Sequence, residues 1–164
     1  MCLKLMASSF LSRWWDLRSG EMTHSVDFGS PITSLEMSAP SSTLTITSGR
    51  KVSFVPFLHG SAPTHTLTLT YAPSSASLYP VSPDRFITGS MDDPWVRLHT
   101  LDGTEKEVLK AHHGPVHCVE FSPDGELYAS GSGESRSTVT NLLLNILEFC
   151  SEDGMIDSSW RDGY

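Results

Sequence analysis

The sequence predicts an all-β chain built from short antiparallel strands that repeat. Three observations carry that expectation. Pro31, Pro73 and Pro115 are equally spaced along the chain. Gly49, Gly89 and Gly131 follow them at nearly the same spacing. Between these markers the same grammar recurs: an apolar-polar run, a turn, and a second run that ends at Gly. A fixed period of ~40–45 residues is the length of one four-stranded unit in radial β repeats.

The third block shows the grammar most clearly. In HHGPVHCVEFSPDGELYASGS, residues 112–132, the runs VHCVEF and LYAS flank a Ser-Pro-Asp-Gly turn. Pro holds φ at about −65°, Asp can bond the backbone ahead of it, and Gly accepts a positive φ. Val, Phe and Tyr favour strand on either side. The first block reads SPITSLEMS then LTITSG, and the second APSSASLYP then FITGS. Third strands follow as KVSFV at 51–55 and WVRLH at 95–99. Outer strands are expected at HSVDF 24–28, HTLTLTY 65–71 and KEVLK 106–110. By strand pattern alone a β-sandwich stays open beside a radial array.

Upstream, Trp14-Trp15-Asp16-Leu17-Arg18-Ser19-Gly20 ends in a Trp-Asp pair and a Ser-Gly turn. These motifs resemble WD repeats, whose units form β-propeller blades. The resemblance implies a partial propeller of about three WD-repeat blades over 14–132, open rather than closed, after the Trp-Asp end of an earlier blade. It also implies that the Trp packs between blades and that the turn leads to the next blade's outer strand.

Residues 1–13 fit no repeat. After Ser132 the grammar stops at GESRSTVTNLLLNILEFC, 133–150, and Ser151-Glu152-Asp153-Gly154-Met155-Ile156 resumes it. The expectation is an off-pattern insert over 133–150, foreign to the fold, and a third-strand remnant over 151–164. Leu142, Leu143, Leu144, Ile146 and Leu147 then have nowhere to pack and form an aggregation hazard. A ring short of blades exposes strand edges at both ends, so a fragment or defective gene model is one expectation for this chain.

Composition narrows function. With 164 residues and a net charge of −8, the chain shows no basic stripe for nucleic acid; Arg13 and Arg18 are the nearest to one. Cys2, Cys118 and Cys150 form no Cys-x-x-Cys pair, so neither a disulfide framework nor a zinc site is expected. Cys118 reads as a small buried hydrophobe. No apolar run approaches the ~20 residues of a membrane span. MCLKLMASSFLSR is broken by Lys4, Ser8 and Ser9, unlike a signal peptide.

No enzyme is expected. His112, Ser130 and Asp153 lack a nucleophile elbow. Metal binding by His112, His113, His117 and Cys118 is disfavoured because neighbours on a strand point to opposite faces. Asp92-Asp93 precedes Pro94 in a turn, and no phosphate-binding glycine loop is present, so no cofactor is implied. The WD resemblance instead makes His112, Ser130 and Asp153 a structural hydrogen-bond relay, with Trp160 displaced from its expected spacing. It places partner contacts at Pro31, Thr33, Ser75, Pro115, His117 and Glu152.

DLRSGEMTHSVDFGSPITSLEMS and GPVHCVEFSPDGELYASGS are more specific than WD grammar. They resemble the serine-threonine kinase receptor-associated (unr-interacting) group of WD proteins across about 14–132. That resemblance implies a non-catalytic scaffold in cytoplasm and nucleus. Its partners would be survival-of-motor-neuron (SMN) complex subunits such as Gemins, in snRNP assembly and mRNA splicing, with no direct nucleic-acid or membrane contact. The alternative is the I subunit of translation initiation factor three, another WD propeller.

Overall fold

A computed structural model describes residues 3–8, 10–38, 42–57, 62–110, 112–133, 136–141 and 146–150. Side chains are described for 10–38, 42–57, 62–110 and 112–133. Within them the regular structure is all strand. The first sheet is β1 (Leu3–Ser8), β2 (Leu11–Asp16) and β3 (Met22–Asp27). The second is β4 (Ile32–Ser38), β5 (Thr43–Ser48), β6 (Lys51–Pro56) and β7 (His65–Thr68). The third is β8 (Pro73–Leu78), β9 (Arg85–Ser90), β10 (Val96–Thr100) and β11 (Glu105–Leu109). The fourth is β12 (Val116–Phe121), β13 (Leu127–Ser132), β14 (Arg136–Asn141) and β15 (Ile146–Cys150). Each sheet is an antiparallel meander, and the four form an open run.

Tight turns set the register. In Ser122-Pro123-Asp124-Gly125 the Asp124 carboxylate accepts the Glu126 N–H at 3.0 Å. The Gly125 N–H returns to the Ser122 carbonyl at 2.9 Å with Gly125 at φ +75°. A Cβ there would also lie 2.6 Å from the Tyr79 ring, so only glycine fits.

Three apolar layers lie between the sheets. Trp14 of β2 meets Leu44, Ile46 and Val55 of the second sheet. Val52 and Phe54 meet Ala76, Leu78 and Phe86 across the next gap, with Phe54 and Phe86 edge to face at 5.3 Å. Ile87 and Val96 meet Val116, Val119, Phe121 and Tyr128 across the third. Burying such side chains gives ~1.5–3 kcal/mol each, which couples every sheet to the next.

Four findings differ from the expectation. The outer strand β3 pairs with β2, the strand before the turn. The segment after the Trp-Asp turn therefore completes its own sheet rather than starting the next one, and one sequence period straddles two sheets. Trp14, fully buried, fills the space between sheets, whereas Trp15 points to the other face and is partly exposed. Residues 3–8, which fit no repeat, pair with β2 from Leu3↔Asp16 to Ser8↔Leu11. Residues 136–141 and 146–150, inside the segment expected to be foreign, occupy the third and fourth places beside β13. The alternation Arg-Ser-Thr-Val-Thr is strand grammar in its own right, and backbone pairing needs no family motif. Residues 151–164 and the leucines at 142–144 lie outside the described residues.

Candidate functional site

The inner strands β4, β8 and β12 stand side by side, held by side chains. The Val119 N–H donates to Ser75 Oγ at 2.8 Å, and two positions further on the Phe121 N–H donates to Ser77 Oγ at 3.0 Å. Ser77 Oγ in turn donates to Glu36 Oε1 at 2.8 Å, and Thr33 Oγ1 donates to the Pro73 carbonyl at 3.3 Å. Partners advance together along both strands, so the three run parallel. The segments 28–31, 69–72 and 112–115 that enter them therefore lie at one end. The β5–β6 turn at Gly49-Arg50 and the β9–β10 turn around Asp92-Asp93 share it.

Each inner strand is irregular just past that entrance. Register shifts between Ile32 and Ser34, between Pro73 and Ala76, and between Val116 and Cys118. The extra residue is Thr33 in β4 and His117 in β12, and in β8 the pair Ser74-Ser75 stands opposite the single Gly89. A bulge re-aims a side chain out of the ladder, which is why bulges recur beside binding sites. Pro31, Thr33, Pro115 and His117 are exposed at this end. Thr33 Oγ1 also sits 2.7 Å from Thr47 Oγ1.

Ser75 needs correction as a contact residue. It is only 5 % exposed, and its hydroxyl is spent on the Val119 N–H. Glu152 and Asp153 lie outside the described residues. Cys118 is exposed, not buried, because it lies on the face of β12 turned away from the third sheet.

Polar side chains are organised behind the loops. His112 Nε2 lies 2.9 Å from Ser130 Oγ, both buried. The third sheet holds a second cluster at matching positions, with Thr88 one repeat before Ser130. The Tyr71 hydroxyl lies 2.5 Å from Thr88 Oγ1 and 2.8 Å from His99 Nε2. His99 stacks on Phe86 at 5.2 Å. Burial pushes Tyr71 up to about 12 and His99 below its ordinary value, so both are neutral near pH 7. Arg97 lies over the Tyr71 ring at 4.1 Å and the Trp95 ring at 5.1 Å. It pairs with Asp93 at 2.6 Å and Glu105 at 3.3 Å. Asp92 accepts the Ala72 N–H at 2.9 Å, which fixes the loop leading into β8.

These clusters are closed on themselves. Among the described residues no three His, Cys, Asp or Glu side chains converge as a metal site would require. A shallow cleft of about 160 Å³ beside Asp27, Phe28, Ser48, Lys51 and Thr66 is open to solvent. Small-molecule sites usually enclose ~300–1,000 Å³.

Comparison with known proteins agrees with this architecture. The family "WD domain, G-beta repeat" matches residues 103–138, from the β10–β11 turn into β14. Serine-threonine kinase receptor-associated protein of Dictyostelium discoideum is 42 % identical over 121 residues, covering 73 % of this chain and 40 % of that protein. The Homo sapiens protein of the same name is 36 % identical over 131 residues, covering 78 % of this chain and 36 % of its own length. Intraflagellar transport protein 122 homolog of Mus musculus is 37 % identical over 57 residues, 5 % of its length.

The chain is a WD-repeat protein resembling serine-threonine kinase receptor-associated protein. It spans about two fifths or less of the length of those relatives. The matched WD unit begins in one sheet and ends in the next, as the β2–β3 pairing does. The Tyr71–Thr88–His99 cluster is the part that sequence reading missed. WD grammar leads one to look for His and Trp, and here Tyr71 and His99 take those places. The repeat offset from Ser130 back to Thr88 was the available signal.

Proposed function

We propose that this WD-repeat chain is a non-catalytic protein-interaction scaffold that receives partners at the loop end of its inner strands. We further propose an accessory role in the SMN complex during snRNP assembly and mRNA splicing, in cytoplasm and nucleus, with Gemins among its partners. The observation that carries the scaffold reading is the gathering of Pro31, Thr33, Pro115 and His117 at one exposed end. Polar, multi-loop surfaces suit protein recognition. The resemblance to serine-threonine kinase receptor-associated protein supports the finer reading.

Affinity purification of the tagged full chain with mass spectrometry tests both levels. Gemins and Sm proteins are expected, with capture reduced by the Thr33→Ala/His117→Ala double variant. Initiation-factor subunits in their place would overturn the SMN assignment in favour of a translation role. Capture unchanged by the double variant would overturn the loop-end surface. A turnover abolished by His112→Ala in a still-folded chain would overturn the scaffold reading itself.

A further inference from the structure

The inner strands carry equivalent residues at Glu36, Ser77 and Glu120. Their cross-strand partners Thr45, Ile87 and Ala129 recur at the repeat spacing, so the three occupy one level of the array. One hydrogen-bond chain runs across that level. The Phe121 N–H donates to Ser77 Oγ at 3.0 Å, and the Ser77 hydroxyl donates to Glu36 Oε1 at 2.8 Å. The chain ties β12 to β8 and β8 to β4 without any backbone ladder between sheets. The other carboxylate oxygen, Oε2, is buried and accepts no hydrogen bond among the described residues. Thr45 on β5 faces Glu36 within its own sheet, Ser77 faces it from β8, and Glu120 on β12 is the charged group acting on it.

We propose that Glu36 is a pH-operated strap across the three inner strands, closing their seam when the carboxyl is neutral and loosening it when ionised. A neutral carboxyl still accepts the Ser77 hydroxyl through its carbonyl oxygen. An ionised one places charge on a buried oxygen and repels Glu120. Burial is the main cause that pushes the Glu36 carboxyl up to about 7, with Glu120 adding to it and the Ser77 hydrogen bond opposing. The folded chain therefore binds this proton more tightly than the unfolded chain, whose value is near 4.5. Stability from this group is complete below pH 4.5 and falls as pH rises toward 7. That span corresponds to a change on the order of a hundredfold in the folded-to-unfolded ratio.

The test is urea unfolding of the full chain from pH 4 to 8, for wild type, Glu36→Gln and Glu120→Gln. The urea midpoint of Glu36→Gln should draw ahead of wild type as pH rises through the window. Glu120→Gln should move the wild-type transition to lower pH. Parallel curves for wild type and Glu36→Gln would overturn the proposal. Should Glu36→Gln fail to fold, carboxyl-carbon NMR of wild type decides: titration of Glu36 near pH 7 supports the strap, and titration in the ordinary carboxylate range ends it.

Discussion

Gly89 of the third sheet packs tightly against Val116 of the fourth, and Gly89→Ala measures that tightness. A Cβ at Gly89 would stand 2.8 Å from Val116 Cγ1, 3.2 Å from Val116 Cβ and 2.7 Å from Ser74 Oγ. The Ser74 hydroxyl can rotate away. Val116 cannot, because it is fully buried and its Cβ is fixed by β12. Gly89 has no positive φ, so its backbone accepts alanine. On chain entropy alone the change would stabilise the fold by ~0.4–1 kcal/mol. Overpacking a tight interior costs ~1–3 kcal/mol, and the clash wins. With a urea m-value of ~2 kcal/mol/M, the centres of these two ranges lower the unfolding midpoint by about 0.7 M, and their extremes by at most about 1.3 M. Val116→Ala alone costs roughly 2 kcal/mol by lost burial and cavity. In the double variant the Cγ1 clash is removed and only the 3.2 Å approach to the residue-116 Cβ remains, so the two costs fall short of additive by ~1 kcal/mol. A neutral or stabilising Gly89→Ala, or full additivity with Val116→Ala, would refute the packing described between these sheets.

Other outcomes follow from the polar clusters. Tyr71→Phe removes the hydroxyl shared by Thr88 and His99, so urea midpoints should show a loss of ~1–3 kcal/mol. Because Tyr71 is held up to about 12, that loss should be the same at pH 7 and pH 9. His99 is held below its ordinary 6.5, so it contributes stability above that pH and loses it as pH falls further, opposite in slope to Glu36. Asp93→Ala leaves the Arg97 guanidinium, whose side chain is 8 % exposed, with Glu105 as its remaining carboxylate among the described residues. Its cost should approach the ~3–5 kcal/mol of a broken buried pair, reduced by the exposure of Asp93 itself.

The period of the prolines and glycines was enough to place nearly all the strands of the second and third sheets, because turn chemistry and β-branched runs act locally. Sheet membership was less legible. Nothing local in residues 24–28 says that they pair backward with β2, since pairing depends on which edge is free. Motif reasoning also excluded 3–8, 136–141 and 146–150, where backbone ladders form on ordinary strand propensity. Of the loop-end residues, Pro31, Thr33, Pro115 and His117 were legible from repeat position. Ser75 was not, because the inner strand β8 lies between β4 and β12 and is buried along its whole length. The Glu36–Ser77 contact joins strands of separate sheets far apart in sequence, and no local pattern signals it.

That β4, β8 and β12 run side by side in one direction is what gathers the loops at a single end. Amide hydrogen exchange at Phe121 tests this most directly, since its N–H is held by Ser77 Oγ of the neighbouring sheet. Ser77→Ala should release protection at Phe121 while the Val139 and Ala129 amides of the β13–β14 ladder keep theirs. Unchanged protection at Phe121 would contradict the arrangement of the inner strands on which the scaffold rests.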